Sequence, residues 1–148
     1  MENSTQHIIK DLREKFEKDV LKVEVKSDIR VTVDIAGESI VTFSDYLFNE
    51  LQLRFIIASA LETRKGFEIY YHFSNDSTGL VLNLHVVLPR EKPEIESLTG
   101  LFEASNWIER EMHEILGINF LNHPNLEKLI SEGNWAEGVY PYRKEEFR

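Results

Sequence analysis

The chain has 148 residues, 17 of them basic and 26 acidic, and it contains no cysteine. This length suits one domain with an ordinary hydrophobic core. The net charge of −9 argues against a general nucleic-acid binder and against electrostatic docking to an anionic membrane. Without cysteine there are no disulfides, no thiolate nucleophile and no iron–sulfur cluster held by this chain alone.

Membrane insertion and secretion are not indicated either. No apolar run approaches the roughly 20 residues that a membrane-spanning helix needs. The first ten residues, MENSTQHIIK, lack the basic region and apolar stretch of a signal peptide. We therefore expect a cytoplasmic protein.

The first predicted element is a helix that begins after Asn3 or Ser4. Its apolar side chains recur at helical spacing, at Ile8, Ile9, Leu12, Phe16 and Val20. Two alternating segments follow and predict a hairpin that turns at residues 27–28. Their inward side chains are expected to be Val23, Val25, Val31 and Val33.

A short helix is predicted next, with Thr42 or Ser44 as its cap. Three strands follow, over residues 53–61, 67–73 and 80–88, separated by turns at residues 65–66 and 75–79. In the second of these strands Phe67, Ile69 and Tyr71 are expected to face the core. A last helix is predicted from residue 98 to about Leu116, and Gly117 ends it.

The order of elements is α-β-β-α-β-β-β-α, followed by an irregular tail. It predicts an α+β fold of two layers, with a mixed or mostly antiparallel sheet of about five strands and helices on one face. Residues 1–148 are interpreted as one domain. Residues 1–105 form its α+β core, and residues 106–148 form a helix and an extended tail that docks a partner.

The segment WIEREMHEILG, residues 107–117, concentrates the chemistry of the chain. On a helical wheel the core arc contains Ile108, Met112, Ile115 and Leu116, and the opposite side contains Glu109, Arg110, His113 and Glu114. Trp107 lies at the flank of this polar side. Two interpretations stay open: a solvated face with pairs such as Arg110–Glu114, or a face covered by another protein.

Catalytic motifs are absent from the sequence. The helix is not a zincin helix, because Gly117 occupies the position of the second histidine. A divalent metal held by Glu109, His113 and His123 is an alternative that the residue types allow. His72 and His85 are interpreted as ordinary residues on the face of a sheet. The sequence has no nucleophile elbow, P-loop or dinucleotide-binding glycine motif.

The stretches NWIEREMHEILGINFLNHPNL and YPYRKEEF resemble the signature of the thirty-kilodalton subunit family of respiratory complex I, the NADH–quinone oxidoreductase. The matching residues are Trp107, Glu109, Arg110, Glu111, Gly117, Ile118, Phe120, His123, Pro124, Leu126, Pro141, Arg143 and Lys144. The resemblance extends more loosely to residues 40–148. Residues 109–114 are also similar to the related subunits of membrane-bound energy-converting nickel–iron hydrogenases, so the parent complex stays open.

The resemblance implies a subunit that is not catalytic by itself and carries no metal or other cofactor. Iron–sulfur, flavin, quinone and nickel–iron sites would belong to partner subunits. The chain would pack against the large catalytic subunit and neighbouring iron–sulfur subunits. It would lie in the cytoplasmic peripheral arm of the complex and would contact the membrane only indirectly, through that complex. The implied partner-binding residues are Trp107, Glu109, Arg110, Glu111, His113, Glu114, His123, Pro124, Tyr140, Pro141, Arg143 and Lys144.

Two alternatives remain open from the sequence. The chain could be an independent acidic α+β enzyme with a divalent-metal site around residues 109–123, or a binding module of another system. If the docking interpretation holds, replacing Arg110 or Arg143 by alanine should barely change the stability of the isolated chain, because exposed charges contribute little. The same substitutions should weaken assembly.

Overall fold

The computed structural model describes residues 5–130 and 135–147. The helices are α1 (Thr5–Lys15), α2 (Ile40–Asp45) and α3 (Ser105–Leu116). The strands are β1 (Val20–Ser27), β2 (Arg30–Ile35), β3 (Arg54–Thr63), β4 (Gly66–Asn75), β5 (Leu80–Leu88), β6 (Glu94–Glu96) and β7 (Asn119–Leu121). A 3-10 turn precedes α2, and a π-helical segment, Tyr46–Glu50, continues it.

The main sheet has five strands in the order β1-β2-β5-β4-β3. Strands β3, β4 and β5 form an antiparallel meander, and β1 and β2 form an antiparallel hairpin. The hairpin joins the meander through a parallel pairing of β2 with β5. Strands β6 and β7 form a separate parallel pair. The α+β class with a mixed sheet of five strands is therefore confirmed.

The helices cover one face of the sheet because alternate strand residues are apolar. These residues pack with α1, α2 and α3 in one core, which includes Val31, Val33, Phe67, Ile69, Tyr71, Phe73, Leu82, Leu84 and Val86. The intervening residues form the open face of the sheet, with Asp34, Tyr70, His72 and His85 among them. On β3 the core-facing residues Ala58 and Ala60 are small, and α3 lies against this strand.

The expectation that Val25 is buried in the core is wrong: it lies opposite Val31, on the same face of the sheet, but it is 46% exposed. It lies on the edge strand β1, where the helix layer leaves it uncovered. The inward positions Val31 and Val33 of β2 are buried, as predicted. Helix α1 buries Ile8, Ile9 and Leu12, but it ends at Lys15, and Phe16 packs from the following turn against Phe43.

Helices α2 and α3 begin at residues other than the predicted ones. Helix α2 begins at Ile40, before the proposed caps Thr42 and Ser44. Helix α3 begins at Ser105, because turns occupy the residues before it. The parallel pair of β6 and β7 was not predicted. The proposed caps of α1, Asn3 and Ser4, lie outside the described residues. Within residues 5–130 and 135–147, no helix is long and apolar enough to cross a bilayer.

Candidate functional site

Helix α3 is the centre of the candidate site, and Gly117 ends it. Gly117 adopts a left-handed conformation with φ of 78°, and its N–H donates to the carbonyl oxygen of His113 at 2.9 Å. A Cβ atom at this position would lie 2.6 Å from the guanidinium of Arg143 and 2.7 Å from the ring of Tyr140. Glycine is therefore required both for the turn and for the tail that packs on it.

The polar side of α3 is not solvated, which corrects the helical-wheel expectation. Glu109 is 0% exposed and Glu114 is 5% exposed. Ile108 and Ile115, which the wheel placed in the core, are only partly buried. The wheel failed because the loop before α3 and the chain after β7 wrap around the helix and cover the side that the sheet does not.

Glu109 lies beneath the loop that precedes α3. Its carboxylate accepts hydrogen bonds from the N–H of Leu98 and the hydroxyl of Ser97, both at 2.7 Å. Burial raises the pKa of Glu109 to about 7, although these two hydrogen bonds favour its charged form. Because Glu109 is fully buried, its side chain binds the loop before α3 and is not exposed on the surface of the chain.

Glu114 and Arg110 hold the chain that follows β7. The carboxylate of Glu114 accepts from the N–H groups of Leu129 and Ile130, at 3.0 and 2.8 Å. Arg110 donates to the carbonyl oxygens of Glu127 and Lys128, both at 2.9 Å. These side chains thus stabilise an irregular segment by supplying partners for its backbone groups.

The two histidines of the segment have backbone partners. The Nδ1 atom of His123 accepts from the N–H of Asn125 at 3.0 Å, so its Nε2–H donates to the carbonyl oxygen of Asn106 at 3.1 Å. His113 pairs through Nδ1 with the carbonyl oxygen of Ile118 at 2.8 Å. Pro124 is exposed. In the described part of the chain, no three His, Asp or Glu side chains group to hold a metal ion.

Residues 140–144 pack back against α3 and β3. Arg143 donates to the carbonyl oxygen of Leu116, and its guanidinium lies 4.4 Å from the ring centre of Tyr140 and 5.0 Å from that of Phe67. The N–H of Lys144 donates to Glu62 at 2.9 Å. Pro141 and Arg143 are half-buried, so the expectation that the charge of Arg143 is exposed is wrong.

Sequence reasoning missed Glu62 as a member of this arrangement. Its side chain is 2% exposed and also pairs with Arg90 at 3.4 Å. A signal for it exists in the sequence. Glu62 continues the core-facing series Ala58 and Ala60 of β3, where an acidic residue requires a dedicated partner.

Several apolar side chains around α3 remain exposed. Trp107 is 69% exposed and Tyr142 is 68% exposed. Trp107 lies in the first turn of α3, and the N–H of Tyr142 donates to the carbonyl oxygen of Ile115 in the last turn. Trp135 and Val139 are 42% and 49% exposed. We refer to Trp107, Trp135, Val139 and Tyr142 as the tail surface.

Two residues of the tail surface, Trp135 and Val139, line a groove of about 470 Å³. It runs between the C-terminal half of α3 and the tail and is lined by His113, Glu114, Trp135, Val139 and Tyr140. Glu111 is half-buried on α3, and Lys144 is exposed. Large exposed aromatic residues among charged ones are the composition of a protein interface.

His72 and His85 lie on the open face of the sheet, away from α3. His72 pairs with Ser59 and Asn83 at 2.8 and 2.7 Å. His85 lies between Asp34 and Glu68, at 2.9 and 2.7 Å. Burial opposes ionisation of Glu68, but hydrogen bonds from Thr63 and His85 outweigh it and lower the pKa of Glu68.

Strands β3 to β5 and the tail surface fall within the match to a known protein family. The profile of the family described as "Respiratory-chain NADH dehydrogenase, 30 Kd subunit" matches residues 33–147. The chain belongs to this family. The match includes the second half of β2, then β3 to β5, α3 and the tail.

A relative supports the assignment along nearly the whole chain. A subunit of the F(420)H(2) dehydrogenase of Methanosarcina mazei is 32% identical over 141 residues, which cover 93% of this chain and 89% of that protein. Members of the thirty-kilodalton subunit family therefore occur under the names of more than one oxidoreductase.

Two solved structures share the fold. One chain of the membrane-bound sulfane sulfur reductase, an archaeal respiratory membrane complex, superposes with a TM-score of 0.76 and 21% identity, covering 97% of this chain and 85% of that chain. A trypsin-resistant fragment of Nqo5 superposes with a TM-score of 0.63 and 21% identity, covering 82% and 98%. At this identity the two structures support the fold alone.

Proposed function

We propose that this chain is a non-catalytic subunit in the peripheral arm of a membrane-bound redox complex. It docks the large catalytic subunit through the tail surface. The observation that carries the proposal is a division of roles among the residues of the two stretches that resemble the family signature. Glu109, Glu114 and Arg143 bind the chain's own backbone, whereas Trp107 and Tyr142 point outward.

The mechanistic contribution is structural. A rigid subunit that buries a face of the catalytic subunit keeps its redox centres apart from water and fixes the distances between them. We propose that this chain itself holds no cofactor, and that flavin, iron–sulfur, quinone or nickel–iron sites belong to its partners. It contacts the membrane only through the complex, on the cytoplasmic side.

Two parent complexes fit this proposal: an NADH–quinone oxidoreductase type, and a type related to energy-converting hydrogenases. The family profile is named for the first, and the fold is shared with a subunit of a sulfane sulfur reductase. Identification of the co-purified large subunit by mass spectrometry distinguishes them.

The test uses tagged chain produced in its native cells and recovered from detergent-solubilised membranes. Trp107→Ala and Tyr142→Ala should reduce the recovered large subunit by about tenfold or more, since exposed aromatic residues are typical hot spots. Leu21→Ala is the matched control, because Leu21 is 67% exposed but lies on β1. Full recovery with both aromatic residues removed would contradict the proposal.

The enzyme alternative is tested separately on the pure chain. The proposal expects no stoichiometric metal in elemental analysis after chelator-free purification, and no electron transfer from reduced dyes. Bound metal at one equivalent together with redox turnover would instead support an independent enzyme.

A further inference from the structure

The two edge strands of the five-stranded sheet differ in their content of charged residues. Strand β1 carries Lys22, Glu24 and Lys26. Strand β3, at the other edge, has no charged residue between Arg54 and Glu62. Charged side chains are a common protection of a sheet edge against pairing with another strand, so β3 lacks the protection that β1 has.

Within the described residues, β3 pairs only with β4. The pairing shifts once, between Phe55 and Ile57, and is regular from there to Thr63. Successive residues of a strand direct their backbone groups to opposite sides, so about half of the N–H and C=O groups of residues 57–63 point away from β4. The outer side of β3 is thus a regular hydrogen-bonding template.

The side chains of β3 are also typical of a strand that lies inside a sheet. Ile57 and Leu61 lie on the open face and are 48% and 43% exposed. A strand next to β3 would cover both. The composition of β3 between its ends resembles that of β5, which has no Asp, Glu, Lys or Arg and lies inside the sheet. Exposed alternate aliphatics beside an open edge favour a partner strand with apolar side chains on the same face.

We propose that β3 accepts an extended, uncharged strand of a neighbouring subunit, so that the sheet has six strands in the assembled complex. This is strand addition, in which backbone hydrogen bonds give affinity and alternate side chains give specificity. The inference rests on the chain being a subunit, as proposed above. It does not require that Trp107 or Tyr142 contact the partner.

Another subunit is a better occupant than a second copy of this chain. The N–H of Lys144 donates to Glu62, which places the tail against the C-terminal end of β3. The free edge is therefore continuous with the region proposed to dock the large subunit. One strand pair buries less area than a stable interface needs, so it suits a chain that is already held nearby.

Hydrogen–deuterium exchange of the intact complex and of the isolated chain tests this directly. In the complex, alternate amides of residues 57–63 should exchange about tenfold or more slowly than in the isolated chain, because added backbone hydrogen bonds protect them. Amides of β1 should not change. Equal exchange of residues 57–63 in both states would overturn the proposal. So would the same protection in an isolated chain that light scattering shows to be a dimer.

Charge substitutions provide an independent test. Ile57→Lys and Leu61→Lys should lower recovery of the complex about tenfold while leaving thermal unfolding of the isolated chain unchanged, since both side chains are exposed. Val87→Lys is the matched control, because Val87 is 40% exposed on the same face but lies on the inner strand β5. An equal loss with Val87→Lys would assign the contact to the open face and overturn strand addition. If Trp107→Ala abolishes assembly but β3 amides are not protected, the docking proposal survives and strand addition fails.

Discussion

The Nε atom of Arg143 donates a hydrogen bond to the carbonyl oxygen of Leu116, and the two atoms lie 2.7 Å apart. Leu116 is the last residue of α3, where helix carbonyl groups lack partners and where a positive charge is favoured. Two distant parts of the family signature thus bind each other. Residues 140–143 are thus held against the end of α3 by contacts within the chain.

Arg143→Ala should therefore destabilise the packing of residues 140–147 by about 1–3 kcal/mol, since a charged hydrogen bond and two ring contacts are lost. Amide exchange of residues 140–147 should accelerate accordingly. Lys144→Ala is the matched control, because Lys144 binds Glu62 through its backbone N–H, which the substitution retains. Equal exchange in both variants would show that the Arg143 contacts are not stabilising.

Gly117→Ala should be more damaging than its size suggests. A left-handed residue other than glycine costs about 1–2 kcal/mol, and the added methyl group would collide with Tyr140 and Arg143. We expect a lower thermal midpoint together with faster proteolysis after residue 139. Gly79→Ala is a useful comparison, because Gly79 also has a positive φ but nothing lies within 4 Å of the added atom. Equal effects of both would leave backbone strain as the whole cause.

Glu109 should make stability depend on pH. Its pKa is raised from 4.5 to about 7 by burial, so the folded chain binds this proton more tightly than the unfolded chain does. The resulting stabilisation is complete below pH 4.5 and is lost as the pH rises to about 7. From the shift it amounts to about 3 kcal/mol at most. Urea unfolding between about pH 4.5 and 8 measures it.

Glu109→Gln should abolish this contribution, because the amide keeps the shape and can still accept from Leu98 and donate to Ser97. Glu111→Gln, on the same helix, controls for the loss of one negative charge. If stability falls equally across that pH range in wild type and in Glu109→Gln, Glu109 is not the responsible group.

The core around α1 and α2 allows a graded test of packing. Phe43 is 0% exposed, and Phe16 packs against it with ring centres 4.4 Å apart. Phe43→Ala should cost about 3–5 kcal/mol of unfolding free energy, and Phe16→Ala should cost less, because Phe16 is only partly buried. Chemical denaturation of both variants gives the values. A larger loss at Phe16 would contradict this order.

The main helices and strands were predictable where their apolar residues follow a single periodicity. Phe67, Ile69 and Tyr71 alternate without interruption and are all buried, because β4 is covered along its length. Val25 follows the same alternation but is exposed, since burial on an edge strand depends on how far the helices reach. The parallel pairing of β2 with β5 joins residues about fifty positions apart, which no local pattern encodes.

The candidate site was predictable in its location and not in its interior. The resemblance singled out α3 and the tail, and the structure brings these two parts together. The helical wheel could not show that Glu109 is buried, because a wheel describes one helix and contains no information about loops that pack on it. Carboxylates that accept backbone N–H groups were therefore mistaken for a surface charge pattern.

The parallel pairing of β2 with β5 also has a consequence during synthesis of the chain. Val31 of β2 has no partner strand on its inner side until Leu82 of β5 has left the ribosome, which at about 5–20 residues per second is a delay of several seconds. An isolated hairpin is marginally stable, so β1 and β2 wait as a fluctuating pair while β3 to β5 form a local meander. We therefore expect the nascent chain to complete its sheet from the C-terminal strands back to the N-terminal ones.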